Sequence, residues 1–339
     1  MKTEDLFQKE VVIVKEILQE ARAQCVANED LSGLSARINF VKKMQQKYYS
    51  RFTESFIKLT ELAGDVGTEV YEKEKKYLRE NLYDLIAGAT TVVNKQICEK
   101  PLGYAGDYVV ADYFYKDGYS GSDLYGMLMD RYTVESLLAK AHKNRQYYLG
   151  RLIEKLAYRS KGKILNVFSL ACGPAPEVFD IFDKKINNVS FTLLDGEPGV
   201  LRFLKEKLKD YSEQSRSVRL FQENIINMLR KDQLFCIPSQ DLVYCAGFFD
   251  YIRKGTATKL IRYMLKYLKP GGWLIVVNVS KDDARNVYLK MIGEWDLYHR
   301  SHQDCLDLVP ADKEVRTKKV VRDAKTGRNL YLIIRKRVK

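Results

Sequence analysis

No run of apolar residues in this 339-residue chain approaches the roughly 20 needed to span a bilayer. The opening stretch, MKTEDLFQKE, is charged and lacks the apolar core of a signal peptide, so a cytoplasmic protein without a membrane span is expected. Six cysteines are present (Cys25, Cys98, Cys172, Cys236, Cys245 and Cys305), but no two are spaced as C-x-x-C. A zinc ribbon and a thioredoxin-like site are therefore not indicated, and reduced, partly buried thiols are expected. No G-x-G-x-x-G stretch occurs either, which argues against a dinucleotide fold.

What the chain has in excess is positive charge, +13 overall. That favours an anionic partner: nucleic acid, a membrane surface or an acidic substrate. Part of the charge gathers near the end, in Arg316, Lys318, Lys319, Arg322, Lys325, Arg328, Arg335, Lys336, Arg337 and Lys339. The same residues also fit a solvated strand face and a basic tail.

The length allows two domains. Residues 1–160 read mainly as helix. Leu6, Val12, Ile13, Ile17 and Leu18 fit one apolar stripe. Ile38, Val41, Met44, Tyr48, Phe52, Phe56, Leu59 and Leu62 make a second. Gly64–Gly67 breaks the pattern, and Thr68 is placed to cap a third helix carrying Val70, Tyr71, Tyr77, Leu78, Leu82 and Leu85. Two Gly-rich stretches follow, KPLGYAGDY (Lys100–Tyr108) and DGYSGSD (Asp117–Asp123), then a helical pattern from about Val134 to Tyr158.

From Ile164 strand and helix signals alternate. ILNVFSL, VSFTLLD, VRLFQEN, DLVYCAG and WLIVVNV read as five strands, apolar on both faces as in a parallel sheet covered by helices. KPGG (Lys269–Gly272) reads as the turn into the fifth strand, and KKVVRDAKTGRNLYLIIRKR as an antiparallel hairpin around AKTG. The expected fold is thus α/β, a Rossmann-like sheet with a C-terminal antiparallel hairpin, preceded by an all-α N-terminal domain. The boundaries read as 1–98 for a helical bundle, 99–160 for a loop and connecting helices, and 161–339 for the α/β domain.

In such a sheet ligands lie outside the carboxyl ends of the strands. FSLACGPAPE (Phe168–Glu177) is a strand end, a tight turn and a helix start, and Gly173 would let a ligand approach the backbone. Asp195 ends the second strand, where a carboxylate can accept both ribose hydroxyls of a nucleoside. Asn224 follows the third strand, where a polar side chain can meet an adenine amino group. Gly247, Phe248 and Phe249 follow the fourth and can pack on the nucleoside.

Through LACGPAPE, LLDGEP, FQENI, DLVYCAGFFDYI and LKPGGWLIV, residues 164–339 resemble a class I S-adenosylmethionine-dependent methyltransferase. The departure is Cys-Gly-Pro-Ala-Pro in place of the commoner Gly-x-Gly. The resemblance implies S-adenosylmethionine as cofactor, held by Ala171, Cys172, Gly173, Pro174, Asp195, Gly196, Glu223, Asn224, Ile225, Gly247 and Phe248. KPLGYAGDY and AHKNR (Ala141–Arg145) are similar to bacterial methyltransferases associated with 3-hydroxy-fatty-acid (3-hydroxypalmitate) methyl ester signals. That narrower resemblance implies a lid containing Tyr104, Gly106 and Asp107, and an Arg145 that pairs with the methionine carboxylate.

The acceptor is expected near Gly293–Asp304, GEWDLYHRSHQD, after the fifth strand. Asp250, Tyr298 and His299 are the candidate catalytic residues. His299 and His302 have metal-ligand spacing but no third ligand, so no metal is expected. A nucleophilic Cys172 or Cys245 is disfavoured by the small-residue contexts LACG and YCAG. No Asn-Pro-Pro-Tyr occurs, which argues against amino-group methylation of bases or glutamine. The leading expectation is a small-molecule acceptor, such as a hydroxy fatty acid carboxylate. RNA, a protein acceptor, a fold retained only for binding, and a homodimer through the helical stripes stand as alternatives.

Overall fold

The structure, a computed structural model, describes residues 3–231, 235–281 and 286–338. Two compact units divide the chain. One is Met1–Ala139 with Arg285–Asp296; the other is Lys140–Ala284 with Leu297–Lys339. This division is coarser than the boundaries 1–98, 99–160 and 161–339 read from the sequence, and it gives a short late segment to the helical unit.

The helical unit contains α1 (Thr3–Val26), α2 (Leu34–Leu62), α3 (Glu69–Ala87), α4 (Val93–Glu99), α5 (Tyr108–Lys116) and α6 (Leu124–Val134). The buried stripe of α1 is Phe7, Val11, Val14, Leu18, Ala21 and Cys25. The expected stripe is rotated from it, because Val12 and Ile13 are more than 40 % exposed. The steps of three and four set the face; counting apolar residues alone mistakes its edge for its centre. On α2 the expected face is right: Val41, Met44, Tyr48, Phe52, Phe56 and Leu59 are all buried. Thr68 caps α3, its hydroxyl accepting from the Tyr71 N–H at 3.2 Å.

The late segment joins this core. Tyr288, Met291 and Ile292 lie on a short π turn (Tyr288–Ile292) and are buried with Phe56, Leu82 and Leu128. The Arg79 guanidinium donates to the carbonyls of Met291 and Ile292 at 3.3 and 2.5 Å. The Tyr288 hydroxyl meets Thr133 at 2.7 Å and Asn94 at 3.1 Å.

The second unit begins with most of α7 (Leu137–Arg159) and then alternates. In chain order come β1 (Leu165–Leu170), α8 (Pro176–Asp183), β2 (Val189–Asp195), α9 (Pro198–Leu208), β3 (Val218–Gln222), α10 (Ile225–Lys231), β4 (Gln240–Ala246), α11 (Lys254–Tyr267), β5 (Leu268–Val279), α12 (His302–Leu306), β6 (Val315–Arg322) and β7 (Asn329–Lys336). The sheet order is β3-β2-β1-β4-β5-β7-β6, parallel through β5, with β7 antiparallel to both neighbours. KPGG is not a turn before the fifth strand. It is a bulge inside it: Gln240 pairs with Leu268 and Leu242 with Trp273, so the extra residues loop out where Gly271 takes φ 75°. The order reverses between β1 and β4, so the crevice outside their carboxyl ends is the place for a ligand.

Candidate functional site

The chain leaves β1 through Ala171, Cys172, Gly173, Pro174 and Ala175. Ala171, Gly173 and Ala175 all take left-handed conformations, with φ of 47°, 54° and 44°. For each alanine that costs about 1 kcal/mol or more, so packing must hold the turn in this shape. A Cβ built on Gly173 would meet no atom within 4 Å. The turn therefore opens onto free space that any side chain there would fill.

Asp195, at the end of β2, closes the other side. Its Oδ2 accepts the Gly173 N–H at 2.9 Å and its Oδ1 accepts the Glu197 N–H at 3.0 Å. Burial raises its pKa, and the backbone N–H donors of Glu197, Gly173 and Gly196 oppose the rise. A carboxylate offers about four lone-pair sites, so it can still accept from a ligand. A Cβ on Gly196 would press on Asn224 Cα at 3.3 Å and Glu223 O at 3.4 Å, so a glycine lets the turns after β2 and β3 meet. The Glu223 N–H donates to the Asp195 carbonyl at 3.0 Å, and the Glu223 carboxylate accepts the Asn224 N–H. Ile225 is buried at the start of α10.

Asn224 is engaged as a helix cap. Its Oδ1 accepts the N–H groups of Ile226 and Asn227 at 2.9 and 3.1 Å, capping α10. Both lone pairs are taken, so this oxygen cannot receive an adenine amino group. The Nδ2 donor is what it offers a base edge.

At the end of β4, Gly247 has φ 113°, and a Cβ there would stand 3.0 Å from an Arg145 guanidinium nitrogen. Arg145, on α7, is itself buried. Its guanidinium thus lies against the backbone beside the crevice. Phe248 is half-buried and Phe249 fully buried. Beneath lies a pair that no motif in the sequence marks: the Tyr244 hydroxyl donates to Glu177 Oε1 at 2.5 Å, and both are buried. Burial raises the pKa of each, while the nearby Arg145 charge lowers that of Glu177. Tyr244 stands in an apolar strand and Glu177 in a helix start, so neither advertises a partner. Burial also raises the Cys172 and Cys245 thiols, keeping them protonated and poor nucleophiles.

Among the proposed catalytic residues, Asp250 is buried in the 3₁₀ turn Phe248–Tyr251. Its Oδ1 accepts the Val279 N–H at 2.8 Å and its carbonyl accepts the Tyr298 N–H at 2.7 Å. Burial lifts its carboxyl to about 6. It clasps the end of β5 to the chain at residue 298, and its one engaged oxygen faces backbone. Tyr298 is exposed, its hydroxyl accepting from Arg253 Nε at 3.1 Å. His299 Nδ1 lies 3.0 Å from the Leu297 carbonyl, a contact that puts the proton on Nδ1 and makes Nε2 the basic nitrogen. Arg300, not foreseen, is the anchor of the region. It donates to the carbonyls of Phe249 and Ile252 at 2.6 Å each, and to Asn278 Oδ1. His302 is exposed at the start of α12. No group of three metal-ligating residues occurs among the described residues.

Tyr104, Gly106 and Asp107 belong to the helical unit. Asp107 is buried and caps α5, accepting the Val109 and Val110 N–H groups at 3.0 Å, while Gln96 Nε2 donates to its other oxygen at 2.6 Å. Its carboxylate thus holds the start of α5 and the end of the loop before it. Tyr104 is about one-third exposed and Gly106 half-buried.

Residues 168–274, which run from β1 into β5, match the family model described as a methyltransferase domain. Over 97 % of both chains the fold is similar to that of a possible exported protein from Bordetella parapertussis, at 12 % identity and a TM-score of 0.55. Magnesium protoporphyrin IX methyltransferase from Synechocystis PCC 6803, solved with bound SAM, aligns over 67 % of this chain and 95 % of its own, at 13 % identity and a TM-score of 0.44. The N-methyltransferase NodS from Bradyrhizobium japonicum WM9, in complex with S-adenosyl-l-homocysteine, aligns over 55 % and 86 %, at 15 % identity and a TM-score of 0.37. No curated protein matches the chain.

Proposed function

We propose that this chain is a class I S-adenosylmethionine-dependent methyltransferase whose acceptor is a small molecule bearing a carboxylate, a hydroxy fatty acid being the leading candidate. The observation that carries the cofactor assignment is the open cradle at Gly173 beside the Asp195 carboxylate, at the carboxyl ends of β1 and β2. The remaining lone pairs of Asp195 accept the two ribose hydroxyls. The Asn224 amide donates to a ring nitrogen of the base, in place of the amino-group contact that its capping oxygen rules out. Arg145 binds the methionine carboxylate with two parallel N–H donors.

When bound, S-adenosylmethionine would supply a methyl group activated by its sulfonium. The chain's own residues align the partners and exclude water. A carboxylate acceptor is ionised at neutral pH and needs no base. A hydroxyl acceptor needs proton removal, for which His299 is the candidate base, since the Asp250 carboxyl accepts the Val279 N–H.

An RNA acceptor is the second reading, favoured by the exposed Arg316, Lys318, Lys319 and Arg322 on the edge strand β6. Calorimetric titration of S-adenosylmethionine into wild type and Asp195→Ala tests the cofactor. Micromolar binding, about −8 kcal/mol, is expected for wild type, with a strong loss in the variant. Wild type that neither binds nor gains thermal stability would remove the enzyme reading and favour a binding module. An acceptor screen starting from hydroxy fatty acids, run beside RNA at two salt concentrations, then separates the substrate classes.

A further inference from the structure

Arg145 needs more than its own side chain to point at a ligand: the first turns of α7 must be held at the right height over the sheet. The terminal hairpin does this. Because β7 is antiparallel, its first residue, Asn329, pairs with Val279, the last residue of β5. The β6–β7 turn therefore arrives at the carboxyl edge of the parallel strands, the edge where the ligand crevice opens. There Asn329, 3 % exposed, donates from Nδ2 to the Ala141 carbonyl at 2.7 Å. In α-helical geometry that carbonyl is also the one that receives the Arg145 backbone N–H. Asn144, next to Arg145, donates to both Asp323 oxygens at 3.2 and 3.4 Å. Asp323 is fixed in turn by the N–H groups of Lys325 and Thr326 and by the Thr326 hydroxyl. One turn further along α7, Tyr148 packs on Tyr331 with ring centroids 4.2 Å apart.

We infer that Asp323 and Asn329 are positioning residues for the cofactor, acting through α7 to set Arg145 against Gly247 for the methionine carboxylate. This rests on the cofactor reading proposed above. It unites the hairpin turn and the AHKNR segment in one role, since Ala141 and Asn144 are the handles by which the sheet grips the helix that carries Arg145.

The test compares two nucleosides. S-adenosylhomocysteine carries the amino-acid carboxylate; methylthioadenosine keeps the adenosine and lacks it. Binding of each is measured calorimetrically to wild type and to Asp323→Ala, Asn329→Ala, Asn144→Ala and Arg145→Ala. Asp323→Ala and Asn329→Ala should weaken S-adenosylhomocysteine about tenfold and leave methylthioadenosine within about twofold, following Arg145→Ala in kind. Asp323→Ala combined with Arg145→Ala should lose nothing beyond Arg145→Ala alone. Asn144→Ala, a half-buried change on the helix side, reads the same contact if the turn variants fail to fold. Equal weakening of both nucleosides, or of neither, would overturn the inference while the cofactor reading stands. Wild type that binds neither nucleoside would overturn both.

Discussion

At the scale of single residues, a few backbone angles decide the site. Gly173→Val should cost roughly 1–2 kcal/mol of stability for the left-handed backbone, yet abolish micromolar cofactor binding, because the side chain occupies the open cradle. Thermal melting beside calorimetry separates the two losses; binding within threefold of wild type would refute the cradle. Asp250 makes a pH prediction. Its carboxyl is held at about 6 by burial, above the roughly 3.9 of an unfolded chain. The folded state thus binds this proton more tightly than the unfolded state does. The group's contribution is fully present below pH 4 and is lost as pH rises through 4 to 6, by about 3 kcal/mol. Asp250→Asn keeps the Val279 acceptor and has no proton to lose. Its stability relative to wild type, by chemical denaturation, should therefore improve between pH 4 and pH 7. The turn at Gly173 and the place of Asp195 at the end of β2 are legible in the sequence because glycine marks tight turns and an apolar run marks its own strand end. The Asn224 acceptor is misleading because a cap and a ligand contact ask for the same oxygen. The Glu177–Tyr244 pair is not legible at all, since it depends on which faces of α8 and β4 meet.

At the scale of elements, periodicity identifies the strands and helices but not their faces or joints. The apolar residues of α1 extend past the buried stripe, which rotates the face they suggest, and KPGG reads as a turn because glycine and proline punctuate loops and bulges alike. Thr68 is legible, since a cap is a local contact between a hydroxyl and an N–H three residues on. Thr68→Ala should lower stability by about 1 kcal/mol without changing cofactor affinity, as measured by melting and titration. Arg300→Met is the severe counterpart. It strands the Asn278 oxygen and the carbonyls of Phe249 and Ile252 without their donor. A loss of about 3 kcal/mol or more is expected, with exchange protection falling first around residues 248–252 and 278–280.

For the whole molecule, the late segment Arg285–Asp296 is the telling feature. Tyr288, Met291 and Ile292 complete the helical core, each buried side chain of this size contributing about 1.5–3 kcal/mol. A truncation to residues 140–339 should therefore expose them, bind a hydrophobic dye and aggregate, and replacing residues 286–296 with a polar linker should cure it. A clean, dye-silent truncation would contradict this. The same feature has a consequence for birth on the ribosome. The N-terminal helices emerge first, yet Arg79 must wait for carbonyls more than 200 residues downstream. About 150 residues separate Ala139 from Tyr288, or roughly 7–30 s at ordinary translation speed. Through that interval the nascent chain carries an unfinished core, which makes it a natural client for a chaperone that shields apolar surface until the last segment is threaded home.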